Sequence, residues 1–307
     1  MTFVLEADDA NDLYKRVMRH FTVPHTTDVA VSSVRHVSPR GLGVRETLSA
    51  MLTLRDVSKN LVTLPERRLN FTFAIAEWLW MLHGSNEAKL IMGYNKNLGF
   101  SLDDGAERFS GAYGPKIVEQ LDYVRQILAT DHDSRQAVIS IWRERPRLTK
   151  DVPCTLSMQF FIRDNALHMM TTMRSNDVWL GLPYDLFSFT QIQRSLARDL
   201  GIDTGEYYHH VGSFHLYDRD FDGAHAVAHS METMALVTPI VPEKNERGKL
   251  FTLMRVFEAE PERALQISND WLKRGVLHES AAPYARTLVT RWNPNATRNV
   301  WPWVSAS

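Results

Sequence analysis

Cys154 is the one cysteine of the chain, and it stands in the string DVPCTL directly after Pro153. A thiol becomes a nucleophile once it loses its proton. A solitary cysteine is more often a small buried apolar residue than a reagent. Its setting argues for chemistry: it opens a strand-like run, LSMQFFIR (156–163), where a side chain can face a pocket rim. Beyond a second such run comes RSNDVWLGLPYD (174–185), which leads into a helix. Polar residues crowded between a strand and a helix are typical of ligand sites. A carboxylate, Glu77, interrupts the apolar stretch FTFAIAEWLWML (71–82). An unpaired buried carboxylate is expensive, so Glu77 must be paired or functional.

The elements that must hold these groups alternate in type. Residues 8–20 read as a helix from the spacing of Leu13, Val17 and Met18. A loop at 37–46 precedes a strand at 47–54. Residues 70–83 form an apolar helix with Asn70 as its N-cap and Gly84 as its stop. The stretch 93–115, rich in Gly, Asn and Asp, is irregular; 117–128 is helical and AVISIW (137–142) is a buried strand. The runs 156–163 and 166–174 form a hairpin about Asp164-Asn165. The helix after Pro183 presents Leu186, Phe189, Ile192, Leu196 and Leu200, and Gly201 stops it. VPEKNERGK (241–249) is a polar break, 261–275 is helical, and the segment with Trp292, Trp301 and Trp303 has no clear pattern. No repeat, low-complexity tract or linker divides residues 1–307, so the pattern predicts one α/β or α+β domain.

Composition narrows the function classes. The 307 residues carry 35 Lys plus Arg against 36 Asp plus Glu, a net charge of -1. That balance argues against a whole-protein polyanion binder and so against a nucleic-acid partner, while leaving room for a local basic pocket. One cysteine excludes an intramolecular disulfide and any Cys-rich metal cluster. The N-terminus has no continuous apolar segment of the signal-peptide kind. The stretch 71–82 falls short of the roughly 20 apolar residues that span a bilayer. A soluble, cytoplasmic protein with no membrane partner is expected.

The segments around Cys154 and 174–185 together resemble the signature of the thymidylate synthase family. That family carries a Pro-Cys nucleophile, then Arg-Ser-x-Asp-x-x-Leu-Gly-x-Pro-aromatic-Asn. The matching residues here are Arg174, Ser175, Asp177, Leu180, Gly181, Pro183, Tyr184 and then Asp185. Further motifs follow the family in order: PRGLG (39–43), AEWLWMLHG (76–84), Asp133-Ser134-Arg135, and Gly212, His215 and Tyr217. The resemblance covers about 35–220 and leaves 240–307 as a divergent C-terminal part. It implies a mixed sheet flanked by helices and a homodimer formed through a sheet face. It also implies a pyrimidine nucleoside monophosphate as substrate and 5,10-methylenetetrahydrofolate as cosubstrate, with no metal.

Roles follow residue by residue from the same resemblance. Cys154 adds to C6 of the pyrimidine, which makes C5 nucleophilic toward a one-carbon electrophile. Arg174 is the neighbouring cation expected to lower the thiol pKa. Arg40, Arg174 and Ser175 match phosphate ligands, and guanidinium groups suit that task. Arg135 matches an arginine that reaches into the partner's site; the family's usual second arginine is Gln136 here. His215 and Tyr217 match contacts to a sugar hydroxyl. Glu77 matches a glutamate that organises water and relays protons, and Tyr113 in GAYG a tyrosine near the reacting centre. Asp177, with Gly181 beside it, matches the folate side of the site.

One position redirects the specificity. The family's signature ends in Asn, whose amide suits uracil. Asp185 stands there instead. A carboxylate accepts from the N4 amino group of cytosine, whereas against uracil O4 it sets acceptor against acceptor. The branch with this substitution makes 5-hydroxymethylcytosine nucleotides from CMP or dCMP, by adding water rather than hydride. Asp185 would also suit a helix N-terminus on electrostatic grounds. Other departures accompany it: Thr155 for a histidine, Asn176 for a frequent cysteine, no tryptophan within 93–115, and the end WPWVSAS in place of a short apolar tail. The competing readings are a synthase that methylates its nucleotide, a nucleotide-binding homologue without catalysis, and a papain-like protease whose local signature is missing around Cys154.

Overall fold

The computed structural model describes residues 2–23, 34–143, 148–232 and 235–290. Seven strands form one mixed sheet: β1 (Phe3–Ala7), β2 (Arg35–Val37), β3 (Val44–Leu54), β4 (Val138–Ser140), β5 (Thr155–Arg163), β6 (Ala166–Asp177) and β7 (Asp203–Tyr217). Their order is β1-β3-β7-β6-β5-β4, with β2 added to β3. The β1–β3 and β6–β7 pairs are parallel and the rest antiparallel. The helices are α1 (Ala10–Thr22), α2 (Phe71–Leu82), α3 (Ala88–Met92), α4 (Gly114–Thr130), α5 (Leu182–Leu200), α6 (Phe221–Ala228), α7 (Lys244–Ala259), α8 (Pro261–Lys273) and α9 (Ala282–Leu288).

Strand alternation decides where the helices lie. One row across the sheet, Leu5, Leu52, His209, Thr171, Met158 and Ile139, is buried from edge to edge. The next row, Val4, Met51, His210, Thr172, Ser157 and Ser140, is partly or fully exposed. Among the described residues the helical layer therefore covers one face and leaves the other open. Two members of the buried row, His209 and Thr171, are polar, and they reappear below.

Most expected elements are present. Asn70 caps α2 by accepting from the Phe73 N–H, and Gly84 follows it at φ 68°. The β5–β6 hairpin turns through Asp164 and Asn165 at φ 50° and 59°, the left-handed pair a tight two-residue turn needs. Gly201 ends α5 in the left-handed conformation. Three readings change. The strand expected at 47–54 begins at Val44, because residues 44–46 pair with both β2 and β7. The polar break at 241–249 gives way to a helix from Lys244. There the charged residues find partners, Lys249 with Glu246 and Arg247 with Asp199, while Leu250, Leu253 and Met254 are buried. Strands β1, β2 and β7 and helices α3, α6 and α9 are additional to the sequence reading; β1 exists because Leu5 and Ala7 pack against the helical layer beside β3. Trp292, Trp301, Trp303 and the end WPWVSAS lie outside the described residues.

Candidate active site

The site forms where α2, α5 and the ends of β5, β6 and β7 converge. Helix α2 is buried on nearly all sides, and Glu77 is its one charged residue. Its start is tied to the start of α5: the Asn70 N–H donates to Tyr184 Oη at 3.2 Å, and the rings of Phe73 and Tyr184 meet edge to face at 4.8 Å. This brings Glu77 against the first turns of α5, where the Ser188 hydroxyl donates to its carboxylate at 3.2 Å. Burial pushes the Glu77 pKa up to about 8, the nearby Asp185 charge adds to the rise, and Ser188 opposes it. Asp185 is likewise raised, to about 7, by burial, against the stabilising hydrogen bond of Asn176. Two carboxyl groups that hold protons near neutral pH thus share one cleft.

Cys154 lies just before β5. Arg174 on β6 follows it across the ladder, its N–H donating to Cys154 O at 2.9 Å. The guanidinium Nη2 stands 3.7 Å from Sγ, while Nε and Nη2 also donate to Pro153 O at 3.0 Å and Val152 O at 3.1 Å. Tyr113, just ahead of α4, accepts from the Thr155 N–H at 3.3 Å and so pins the residue after the thiol. The expected lowering of the thiol pKa is overturned. Burial raises it, and the pull of Arg174 and the weaker pull of Arg40 do not compensate. The cause is the same enclosure that raises Glu77.

The turn between β6 and α5 is set by Asp177. Its Oδ1 accepts from the N–H groups of Trp179 and Leu180 at 2.8 and 3.0 Å, which folds the chain back toward Gly181. Gly181 is the N-cap of α5, and a Cβ there would sit 2.9 Å from Asn176 Nδ2 and 3.3 Å from Asp185 Oδ2. The position has no room for a side chain because the Asn176–Asp185 pair, joined at 2.7 Å, passes beneath it. Asp177 pairs in register with His215 on β7, and burial raises its pKa against the pull of Leu180 N–H and His215. His215 is nearly buried and meets Tyr217 edge to face at 5.3 Å.

The remaining expected ligands divide. Ser175 lies on β6 beside Arg174, in register with Ser213. Arg40 is exposed in a short turn at φ 55°, a strained conformation for a β-carbon residue that often marks function. Arg135 is exposed in the turn before β4, and its carbonyl accepts from the Gln159 side chain. Gln159 is five residues along β5 from Cys154, roughly 15 Å at strand rise. Arg135 therefore lies away from the thiol of its own chain.

This geometry can be compared with known proteins. A sequence model described as thymidylate synthase matches residues 25–238. The chain belongs to the thymidylate synthase family. A deoxyuridylate hydroxymethyltransferase of Bacillus phage SP01 is 31% identical over 205 residues, which is 60% of this chain and 53% of that protein. The chain thus spans about half the length of this curated relative. In fold it is similar to thermostable thymidylate synthase A from Bacillus subtilis, with a TM-score of 0.60 at 21% identity, over 74% of this chain and 86% of that one. Among the described residues no helix is long and apolar enough to cross a membrane, and no group of three or more His, Cys, Asp or Glu is placed to hold a metal ion.

Within this thymidylate synthase fold several residues carry more than the motifs indicated. Asn176 was legible only as a departure from a frequent cysteine. Its Nδ2 donates to Asp185 Oδ2, and its Oδ1 meets His209 Nε2 at 3.0 Å. Ser188 belongs to no motif; its one signal in the sequence is a small polar residue one turn after Asp185 on a buried helix face. No motif marks Arg67 either: it donates to Trp179 O at 2.8 Å and stacks on the Trp179 ring at 4.8 Å, holding the turn that carries Asp177.

Proposed function

We propose that the chain is a pyrimidine nucleotide C5 hydroxymethyltransferase acting on CMP or dCMP. The observation that carries the reading is Asp185. It occupies the family's base-reading position and has one oxygen held by Asn176, which leaves the other to accept from the N4 amino group of cytosine. The name of the phage relative supports the hydroxymethyl outcome.

In this reading Cys154 adds to C6 and leaves again after C5 has been substituted. Its raised pKa calls for help in shedding the proton, and Arg174, Nη2 3.7 Å from Sγ, stabilises the thiolate that results. Arg40, Arg174 and Ser175 bind the phosphate, and Arg135 of a second copy completes that set. His215 and Tyr217 bind the sugar. Glu77, protonated near neutral pH and held by Ser188, hydrogen-bonds the base and orders water over C5. Tyr113 fixes the strand start beneath the thiol.

Methylenetetrahydrofolate would supply the one-carbon unit, so that nucleotide, methylenetetrahydrofolate and water give 5-hydroxymethyl nucleotide and tetrahydrofolate. The donor set suits it in part. The second oxygen of Asp177 remains for a donor-rich ring, and Gly181 keeps the turn close. The stretch 93–115 offers no tryptophan to stack on it. The open face of the sheet, with Leu48 and Met51 exposed on β3, is the surface for a homodimer.

A second reading, a uracil-nucleotide hydroxymethylase, is favoured by the name of the phage relative, a deoxyuridylate hydroxymethyltransferase, and by one observation of the site. With a pKa near 7, Asp185 in its protonated form can donate to O4. Tritium release from C5-labelled CMP, dCMP, UMP and dUMP with methylenetetrahydrofolate separates the two. Preferred turnover of CMP or dCMP at pH 8 supports the first; preferred turnover of dUMP, strongest below pH 7, establishes the second. Formation of dihydrofolate would instead mean hydride transfer and a methylase.

A further inference from the structure

Behind Asp185 and its partner Asn176 runs a chain of buried polar groups that the proposed chemistry does not otherwise use. Asn176 Nδ2 lies 2.7 Å from Asp185 Oδ2, and Asn176 Oδ1 lies 3.0 Å from His209 Nε2. His209 Nδ1 in turn meets Tyr207 Oη at 2.8 Å and Thr171 Oγ1 at 3.2 Å, and these two hydroxyls meet each other at 2.6 Å. Thr171, Tyr207 and His209 are fully buried and Asn176 is nearly so. The placement follows from the strands: Thr171 and His209 are register partners on the parallel β6–β7 pair, and alternation puts Tyr207 on the same inner face.

The donors and acceptors along this chain fix one another's direction. An ionised carboxylate can only accept, so the group facing Asp185 must be the amide N–H of Asn176. That turns Asn176 Oδ1 toward His209, which must then carry its proton on Nε2. Burial holds the ring neutral by lowering its pKa to about 3, so Nδ1 is bare and must accept. Tyr207 donates to it at 2.8 Å, and Thr171 donates in turn to Tyr207 at 2.6 Å. If Asp185 instead held a proton and donated it, every bond in the chain would reverse and the histidine proton would sit on Nδ1.

We propose that Asn176 and His209 are positioning residues for Asp185: anchored by Tyr207 and Thr171, His209 turns the Asn176 amide so that it clamps Asp185 Oδ2 and leaves Oδ1 facing the base. The proposal rests on the reading of Asp185 as the base-recognising residue. The absence of a side chain at Gly181 belongs to the same device, since a Cβ there would press on both members of the clamp. The clamp also opposes the burial that would protonate Asp185. The other ionisable groups facing Asp185 are Glu77 on α2, Asp177 at the end of β6, Cys154 before β5, Tyr113 before α4 and Tyr207 on β7; His210, next to His209 in sequence, lies on the opposite face of the sheet and its charge lowers the His209 pKa further.

Two measurements test this. Nitrogen NMR of the ring of His209 in the wild-type protein at pH 8 should show a protonated Nε2 and a bare Nδ1, with no titration of the ring between pH 5 and 8. A proton on Nδ1, or a titrating ring, overturns the proposal, whatever nucleotide the enzyme prefers. His209→Phe, which keeps the ring and loses the donor, should lower kcat/KM for the preferred cytosine nucleotide on the order of 10- to 100-fold. It should also move the acidic limb of the pH profile upward. His209→Gln, which keeps an N–H near the Nε2 position, should restore most of both. A His209→Phe protein that melts earlier but keeps the wild-type pH limb shows a merely structural role and overturns the proposal. If His209→Phe does not fold, the NMR result decides. If dUMP proves the preferred substrate while Nε2 carries the proton, the reading of Asp185 fails and the clamp geometry stands.

Discussion

Arg174 holds its Nη2 3.7 Å from Cys154 Sγ while the same guanidinium grips the carbonyls of Val152 and Pro153. The cation is thereby fixed to the segment that carries the thiol. Its pull is real but smaller than the burial it works against. Removing it should leave burial unopposed. In Arg174→Ala the pH at which iodoacetamide alkylates Cys154 at half its limiting rate should rise on the order of one unit. Arg174→Lys should fall between, since an ammonium cannot hold two carbonyls and the thiol at once. An unmoved alkylation profile would remove Arg174 from this role.

Glu77 carries a stability cost whose sign is fixed by its pKa. The folded value is about 8, above the ordinary 4.5 of an unfolded glutamate. Below the ordinary value both states are protonated and nothing is lost. As pH rises from there toward 8 the unfolded chain releases the proton and the folded one keeps it, so stability falls by at most about 1.4 kcal/mol per pH unit. Above the folded value the loss is complete. Glu77→Gln should flatten that dependence, becoming more stable relative to wild type at pH 8 than at pH 5, while activity drops. Denaturant titrations at pH 5, 6.5 and 8 read the difference directly.

Asp185→Asn replaces an acceptor pair by an acceptor and a donor. The amide can donate to O4 and accept from N3–H, so base preference should turn from cytosine toward uracil by about 10²-fold or more in the ratio of kcat/KM values. Competition between labelled dCMP and dUMP, or between CMP and UMP, in one reaction measures the ratio. An unchanged ratio would free Asp185 of the specificity assignment.

What could be read in the sequence was what short-range pattern encodes. The cap of α2 by Asn70, the Asp164-Asn165 turn and the Gly201 stop depend on a few neighbouring residues, and the motif around Cys154 has a fixed spacing. What could not be read depends on contacts distant in sequence. The charged start of α7 looked like a loop because the partner of Arg247, Asp199, sits on another helix. The raised thiol pKa cannot be read from the sequence because a nearby arginine is visible in a string and enclosure is not. His209 belongs to the site only through the parallel pairing of β6 with β7, which no local pattern specifies.

Gly181 tests how closely the clamp is packed. A methyl group there would meet Asn176 Nδ2 at 2.9 Å and the carbonyl of Asp177 at 3.0 Å, and the second of these is backbone. Gly181→Ala should therefore displace the Asn176 amide from Asp185 as well as strain the turn. The expected result is at least a tenfold loss in kcat/KM with a loss of about 1–3 kcal/mol in stability. A variant that loses stability alone would place Gly181 in packing only.

Arg135 decides whether the site is complete in one chain. It is exposed before β4, toward the far end of β5 from Cys154, and its carbonyl is held by Gln159. A residue so placed is expected to serve the phosphate of another copy. If two copies meet through the open sheet face, Arg135→Ala and Cys154→Ala should each be inactive as homodimers for different reasons. In a hybrid of the two, the subunit that keeps Cys154 faces the partner that keeps Arg135, and one site is whole. Random re-association of equal amounts makes half of the dimers hybrid, so mixing the two inactive proteins should restore about a quarter of wild-type activity. Activity that stays absent after subunit exchange, with hybrids demonstrated by mass, would confine Arg135 to its own chain and leave the phosphate to Arg40, Arg174 and Ser175.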